Sequence, residues 1–519
     1  MRGQKIDQAP STIARGLSKY TSSVALEAAA AACALDNPDK ALGWLEQGRC
    51  RVWAQFKILF NPLDDVRIHH ENLTQCIANL SKAVEHAGSL PRQSHVDMFL
   101  SEKILLEDEV RSAHVDHATK WDEFLKAAVA IPGFGSILMP LPCSAIMQHL
   151  PESGPIVIIN IDSCRCDALA LLAGMDEPLH IPLPHFSTEK ASTYRTILET
   201  QLHSHNLRSR EPEARGAGPL RSGKRHKDLP MHQVLRGLFE EVVKPVLDGL
   251  AFSKVDRTTG KVPPRLWWCP TGPLSFLPLH AAGIYRGSNQ ESVFDYVMSS
   301  YTPSFTALTD RVKSSRLVDS KASGLFLTSQ PSVPGACSIP GTTKERGEGP
   351  QMEGDEMMVA ECLEHMQRFS CIHLACHGEQ NAAEPLRSRF LFHQGSLELG
   401  TILKSNLKHA DLAFLSACQT STGKETLSDE AVHLAAGMLA AGYRRVVGTM
   451  RSIGDEAAQD VAMMFYDYLF ALQAGTGGTA FDGTHSAVAL HHTTQQLRLS
   501  LDDSEKSLLT WIPFVHFGL

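Results

Sequence analysis

Two residues able to carry peptide-bond chemistry follow apolar runs in the same way. His377-Gly378 follows the segment 371–376, and Cys418 follows the segment 411–417, 41 residues after His377. A thiol becomes a strong nucleophile only as its thiolate, and a nearby imidazole can take the proton or stabilise the anion. The same imidazole can later protonate a leaving amine. Gly378 lets the backbone approach a substrate carbonyl closely, and its N–H together with that of Cys418 could form an oxyanion hole. A small thiol at a strand end is also an ordinary core residue, so the pair alone leaves catalysis and packing both open. No third residue that would orient His377 is visible in the sequence.

Other constellations are weaker. Cys371, His373, Cys376 and His377 have the composition of a zinc set. Strand alternation puts Cys371, His373 and His377 on one face and Cys376 on the other, so four ligands do not converge and no metal is expected. His373 then reads as a core or supporting histidine. The pairs His69-His70 and His491-His492, and His114 with His117, lack cysteine or acidic partners and read as surface residues. The GTGGT run at 475–479 follows a helix instead of opening one after a strand, which suits a loop better than a phosphate cradle. Cys164 and Cys166 are too close to pair without strain. Trp267 and Trp268 should lie on opposite sides of one strand.

The elements that must position His377 and Cys418 are legible from periodicity and turn signals. Strands are expected at 155–160, 266–269, 325–327, 371–377, 411–417 and 445–450, with 168–172 and 179–183 able to pair with the first. Helices are expected at 234–250, near 353–369, at 430–441 and at 455–473, and a hairpin over 390–399 turning at Gln394-Gly395. Such alternation predicts an α/β fold, a mainly parallel sheet flanked by helices. In open sheets of this kind ligand sites lie beyond the carboxyl ends of the strands, where His377 and Cys418 both fall. Before this, residues 20–135 read as an all-α region. Its clearest unit is a helix over 25–35, a break at Asn37-Pro38-Asp39, and a second helix that Pro38 suits as a start. That unit has the length of one helical-repeat pair.

Composition bounds the function classes. The chain has 519 residues and a formal net charge of −8, so bulk charge does not favour nucleic acid as a partner. No apolar run is long enough for an ordinary transmembrane helix, and the first 25 residues lack the apolar core of a secretory signal. Twelve scattered cysteines without a C-x-x-C spacing suit a reduced cytoplasmic protein. The stretch 208–227 is basic and aperiodic, which predicts a solvated loop.

The segments SCIHLACHGEQ, DLAFLSACQTSTG and DEAVHLAAGMLAAGYRRVVGTMRSIGDEAA closely resemble the CHAT domains, relatives of caspases and separase. WWCPTGPLSFLPLHAAG, the SSYTPS segment around Tyr301 and the closing WIPFVHFG extend the resemblance. It places such a domain at 150–519, with its best-matching core at 232–518, and EQGRCRVWAQ is similar to the tetratricopeptide-type helices that often precede it. The resemblance implies a caspase-like fold and a cysteine endopeptidase with His377 and Cys418 as its dyad, the oxyanion held by Gly378 and Cys418, and no cofactor. It further implies a protein substrate and a regulatory protein partner bound through the helical region. By the same resemblance Asp455 stands where separases bind a basic side chain, although Asp is equally suited to cap a helix beginning at Glu456. Arg451 stands where related domains usually carry Trp, a cation that would favour an acidic residue instead. The polar run STGKETLSDE after Cys418 suits a processing loop. The rival expectation is a non-proteolytic interaction scaffold with a latent caspase-like domain.

Overall fold

The computed structural model describes residues 23–48, 142–204, 230–256, 261–313, 324–330, 351–353, 357–381, 385–405, 407–416, 434–450, 453, 455–475 and 481–519. In chain order the strands are β1 (Ile156–Ile161), β2 (Cys166–Leu171), β3 (Leu179–Pro182), β4 (Arg265–Pro270), β5 (Gly283–Ile284), β6 (Glu291–Ser292), β7 (Met298–Tyr301) and β8 (Leu325–Ser329). They continue as β9 (Gln351–Glu353), β10 (Cys371–Ala375), β11 (His377–Glu379), β12 (Arg389–Phe392), β13 (Gly395–Glu398), β14 (Leu412–Leu415), β15 (Arg445–Thr449) and β16 (Phe514–Gly518). Eleven of them form one sheet in the order β3-β2-β1-β4-β7-β16-β15-β14-β10-β8-β9, while β11-β12-β13 form a separate small sheet and β5-β6 a short ribbon.

The expected mainly parallel sheet is present. Its neighbours run parallel from β1 through β4 and β7 to β16, and again from β15 through β14, β10 and β8 to β9. The exceptions are the β1-β2-β3 meander and the pair β15-β16. That last pair divides the sheet into two parallel blocks of opposite direction. The strands have continuous apolar runs because helices cover both faces, the pattern of a buried parallel sheet. Trp267 and Trp268 are both fully buried and lie in different core clusters, one on each side of β4 as expected.

One long helical stretch, Pro230–Leu238, runs through a π turn at Phe239–Val243 into Lys244–Gly249. The helix expected near 353–369 begins at Val359, and that expected at 455–473 spans Asp455–Gly475. The hairpin turns at Gly395, whose φ of 106° is a conformation open to glycine.

The helical N-terminus is described only in part. A helix over 23–34 ends where Asp36 takes a left-handed φ of 54°, and Pro38 opens the helix Pro38–Gly48. The remaining residues of the expected 20–135 region, and the loop 208–227, lie outside the described residues. The two helices do not stand apart from the sheet. Leu42 and Leu45 share a core with Ile156, Ile158, Leu169 and Trp267. Two partly buried links fix their position: the Asn160 side-chain amide donates to Leu26 O at 3.0 Å, and Thr306 N–H donates to Glu46 Oε1 at 3.2 Å.

Because Leu42 is fully buried in that shared core, Leu42→Ala should cost about 2–5 kcal/mol. The expected result is a lower urea midpoint for the cooperative unfolding of the sheet. An unchanged sheet transition beside a separate early helical one would contradict the shared core.

Candidate active site

The carboxyl ends of β8, β10, β14 and β15 lie at one edge of the large sheet, because these strands are mutually parallel. Chain order reverses within this block. β9 lies outside β8, whereas β10, β14 and β15 follow on the other side. The crevice of a doubly wound sheet opens at such a reversal, here between the ends of β8 and β10.

His377 is at that crevice. The apolar run from Cys371 was expected to continue as one strand through His377, but β10 ends at Ala375. Both flanks of β10 close there: Ser416 N–H donates to Leu374 O at 3.1 Å, and Gln330 N–H donates to Ala375 O at 2.8 Å. After the buried Cys376, His377 opens β11, pairing with Leu391 of β12, and Gly378 pairs with Phe390. Both residues are half-buried. The imidazole is therefore carried by the small sheet, in front of the edge of the large one.

On the neighbouring strand, β10 and β14 stay in step through His373↔Phe414 and Leu374↔Leu415. His373 is fully buried, and its Nε2 shares a hydrogen bond of 2.9 Å with Ser416 Oγ. The rings of Phe414 and Tyr466 lie 4.7 and 5.5 Å from the imidazole. His373 is thus a core histidine that ties the end of β14 to β10. Cys418, two residues past Ser416, lies outside the described residues, as do Arg451, Asp455's side chain and the loop 421–430. The backbone at Asp455 is the first residue of its helix.

Two features were not found by sequence reasoning. Gln330, fully buried just past β8, accepts from His393 N–H through Oε1 at 3.0 Å. A lone Gln after an apolar run carries no sequence signal. His491 and His492 were expected at the surface, yet both are half-buried: Phe294 lies 5.2 Å from His491, and Tyr468 stacks on His492 at 3.8 Å. Their aromatic partners are close in space but remote in sequence.

Burial separates the thiols chemically. Desolvation pushes Cys33, Cys143 and Cys362 up to about 12 and Cys166 up to about 11, and Cys371 is raised further. Such groups stay protonated and unreactive at neutral pH. Among the described residues, Cys33, Asp167 and His180 bring ligand atoms within 4.8 Å of one another. Arg165, however, already engages both carboxylate oxygens of Asp167 at 2.6 and 2.7 Å, and His180 Nε2 lies 2.8 Å from Oδ1. The carboxylate is neutralised by a guanidinium, so this group is built as an ion pair.

Two buried histidines, His516 within β16 and His280 beside it, give the fold a pH dependence. His280 Nε2 faces the carbonyl of Ile512 at 2.7 Å and must donate, while Tyr301 OH lies 2.9 Å from Nδ1. Desolvation lowers His280 to about 4. His516 Nδ1 receives Arg265 Nη2 at 3.2 Å, so Nε2 carries the proton toward Ser486 Oγ at 2.9 Å. Desolvation, then the cations Arg265 and Arg445, hold His516 well below the usual range. Both folded-state values lie below the unfolded value near 6.5, so their contribution is complete above about pH 6.5. It falls as the unfolded chain takes up protons. The expected loss is about 1.4 kcal/mol per pH unit per histidine between pH 6.5 and the folded value. Urea midpoints measured from pH 7.5 to 4.5 check this, and His280→Asn should reduce the slope by one proton's share.

A family model described as the CHAT domain matches residues 232–519, more than half of the chain. No curated protein matches the sequence. Among solved structures, the Saccharomyces cerevisiae separase–securin complex aligns with 11% identity and a TM-score of 0.46, over 93% of this chain and 38% of the separase chain. The Arg-specific cysteine proteinase gingipain R aligns with 10% identity and a TM-score of 0.33, over 56% of this chain and 66% of its own. A complex of its Porphyromonas gingivalis pro- and mature domains gives 10% identity and a TM-score of 0.33, over 56% and 68%. The present chain therefore spans well under half of the separase chain's length. β1, β2 and β3 precede residue 232 but belong to the same sheet as the matched segment.

Proposed function

The chain belongs to the CHAT-domain family, and from that premise we propose that it is a cysteine endopeptidase with His377 and Cys418 as its catalytic pair. One observation carries the reading. β10 and β14 run parallel and in register up to Leu374 and Leu415, and His377 and Cys418 each follow three residues later. Equal sequence distances past the paired ends of adjacent strands, at the edge where strand order reverses, suit a two-residue site.

The chemistry requires little else. His377 takes the thiol proton, and the Cys418 thiolate attacks the scissile carbonyl carbon, sending the carbonyl electron pair onto oxygen. The N–H groups of Gly378 and Cys418 receive that oxyanion. Its collapse breaks the C–N bond as the imidazolium protonates the leaving amine, which leaves a thioester. His377 then draws a proton from water, whose oxygen displaces the thiolate and releases the carboxylic acid product. No metal or organic cofactor takes part in this scheme.

Asp455 and Arg451 are the proposed determinants of the residue before the scissile bond, one favouring a basic and the other an acidic side chain. The substrate is a protein. A regulatory protein partner binding through the helical region is proposed in addition, with 20–135 as that region and 150–519 as the peptidase. Among the described residues no helix is long and apolar enough to cross a membrane. Cys33, Cys143, Cys164, Cys166, Cys362 and Cys371 are free thiols, which suits the cytoplasm.

Digestion of a diverse peptide library tests the reading. Cleavage is expected from the wild type and should fall by about a hundredfold or more in Cys418→Ala and His377→Ala. Cleavage retained in both variants would remove His377 and Cys418 as the catalytic pair, and cleavage absent from the folded wild type with candidate partners present would return the scaffold reading. A thiol-directed peptide electrophile at pH 7 gives a second check. Cys418 should label selectively while Cys33, Cys143, Cys166, Cys362 and Cys371, held as thiols by burial, do not. Uniform slow labelling of all twelve would count against an activated nucleophile.

A further inference from the structure

His377 rests on a sheet that is separate from the one bearing the strand ends around it, so something must fix the two sheets relative to each other. Backbone pairing does little of this: among the described residues β11 pairs only with β12 and β12 only with β11 and β13, and the hairpin turn adds one isolated bridge, Met358↔Gln394. Gln330 spans the gap. Its own N–H donates to Ala375 O at 2.8 Å, which fastens the residue two positions before His377 to the end of β8. Its side-chain Oε1 accepts from His393 N–H at 3.0 Å, in the turn that joins β12 to β13. Its Nε2 faces Thr328 Oγ1 at 3.4 Å, which orients the amide so that oxygen, not nitrogen, faces the hairpin. The side chain is fully buried.

A buried amide is costly unless its groups are bonded, and an apolar side chain of similar volume would pack there at lower cost. What Gln330 adds is direction. One residue at the crevice holds both the strand leading into His377 and the hairpin backing it. We propose that Gln330 is a positioning residue for His377, setting the imidazole against the edge of the large sheet. This rests on the reading of His377 as the catalytic base. Gln330 does not touch the reacting atoms in this role; it acts through β11 and its hairpin.

Two substitutions separate positioning from mere packing. Gln330→Met keeps the length and volume but leaves His393 N–H without its acceptor. Gln330→Glu keeps an accepting oxygen, and its protonated form, favoured by burial at lower pH, reproduces the amide's shape. Hydrogen exchange and peptide-cleavage kinetics are measured on the full chain, with His377→Ala alongside. In Gln330→Met, exchange across 377–398 is expected to quicken while β14 and β15 keep their protection. In the same variant kcat should fall on the order of 10-fold to 100-fold with KM within about twofold, since misplacing a catalytic group slows the chemical step more than it weakens binding. Gln330→Glu should recover most of that kcat, and more of it toward lower pH.

Unchanged exchange over 377–398 in Gln330→Met would overturn the inference, as would loosened exchange with wild-type kcat. An equal loss of protection throughout the sheet would also overturn it, reducing Gln330 to a core residue. If wild-type cleavage survives His377→Ala, the base assignment itself fails and takes this inference with it, an outcome that the His377→Ala arm identifies independently of any Gln330 variant.

Discussion

The fold depends on the antiparallel pairing of β15 with β16. Two parallel blocks that run in opposite directions meet only there, over five residue pairs from Arg445↔Gly518 to Thr449↔Phe514. On its other side β16 touches β7 through the single pair Phe517↔Tyr301. Closing this seam leaves Arg265 half-buried. Among the described residues no carboxylate pairs with it; Ser300 Oγ and Gly518 O accept its protons, and the Trp267 ring lies 4.4 Å from the guanidinium carbon. Desolvation and the nearby Arg445 pull its pKa down to about 9, which still leaves it charged at neutral pH. A second cation at His516 would repel it, so the imidazole beside it stays neutral. Gly518 is required sterically as well: its φ is 84°, and a Cβ there would come within 2.2 Å of Arg444 O.

The seam's polarity decides where chemistry can be assembled. Because the blocks oppose each other, the edge that carries His377 presents the carboxyl ends of β8, β10, β14 and β15 but the amino ends of β16, β7, β4 and β1. Only the first block offers several chain exits at that edge. The second block contributes mass instead: its strands β1 and β4 bury one face against the helices over 23–34 and Pro38–Gly48. A cavity lined by His280, Tyr301, His491 and His516 lies beside β16, and no residue at the carboxyl ends of β8, β10, β14 or β15 lines it.

Much of this was legible in the sequence because the signals were local. Apolar runs bounded by turn residues located β1, β4, β8, β10, β14 and β15, and the Gln394-Gly395 turn located the β12-β13 hairpin. Trp267 and Trp268 fell on opposite faces because strand alternation leaves no other choice. The misses concern relations that no window contains. Nothing near residue 375 announces that β10 stops and that His377 begins another sheet, since that sheet is defined by the pairing of β11 with the later strand β12. The half-burial of His491 and His492 depends on Phe294 and Tyr468. His373 could be read as a supporting histidine from its face, but its partner Ser416 emerges only from the register of β10 and β14. The CHAT resemblance supplied the roles of His377 and Cys418, which residue types and spacing alone left undecided between catalysis and packing.

Placing His377 on a second sheet has a physical consequence. A side chain at the end of a central strand inherits its position from neighbours on both sides, whereas one on a three-stranded sheet inherits it from whatever fastens that sheet. Apolar packing of Phe390 and Phe392, both buried, holds the small sheet down but is non-directional and tolerates sliding. Hydrogen bonds weaken steeply with misalignment, so the Gln330–His393 bond resists the displacement that packing would allow. The fully buried Gln330 and, on the adjacent strand, His373 are therefore best understood as alignment devices, bonded to His393 and Ser416. Each surrenders some stability that an apolar residue would have provided, and each fixes a direction at the edge from which His377 projects.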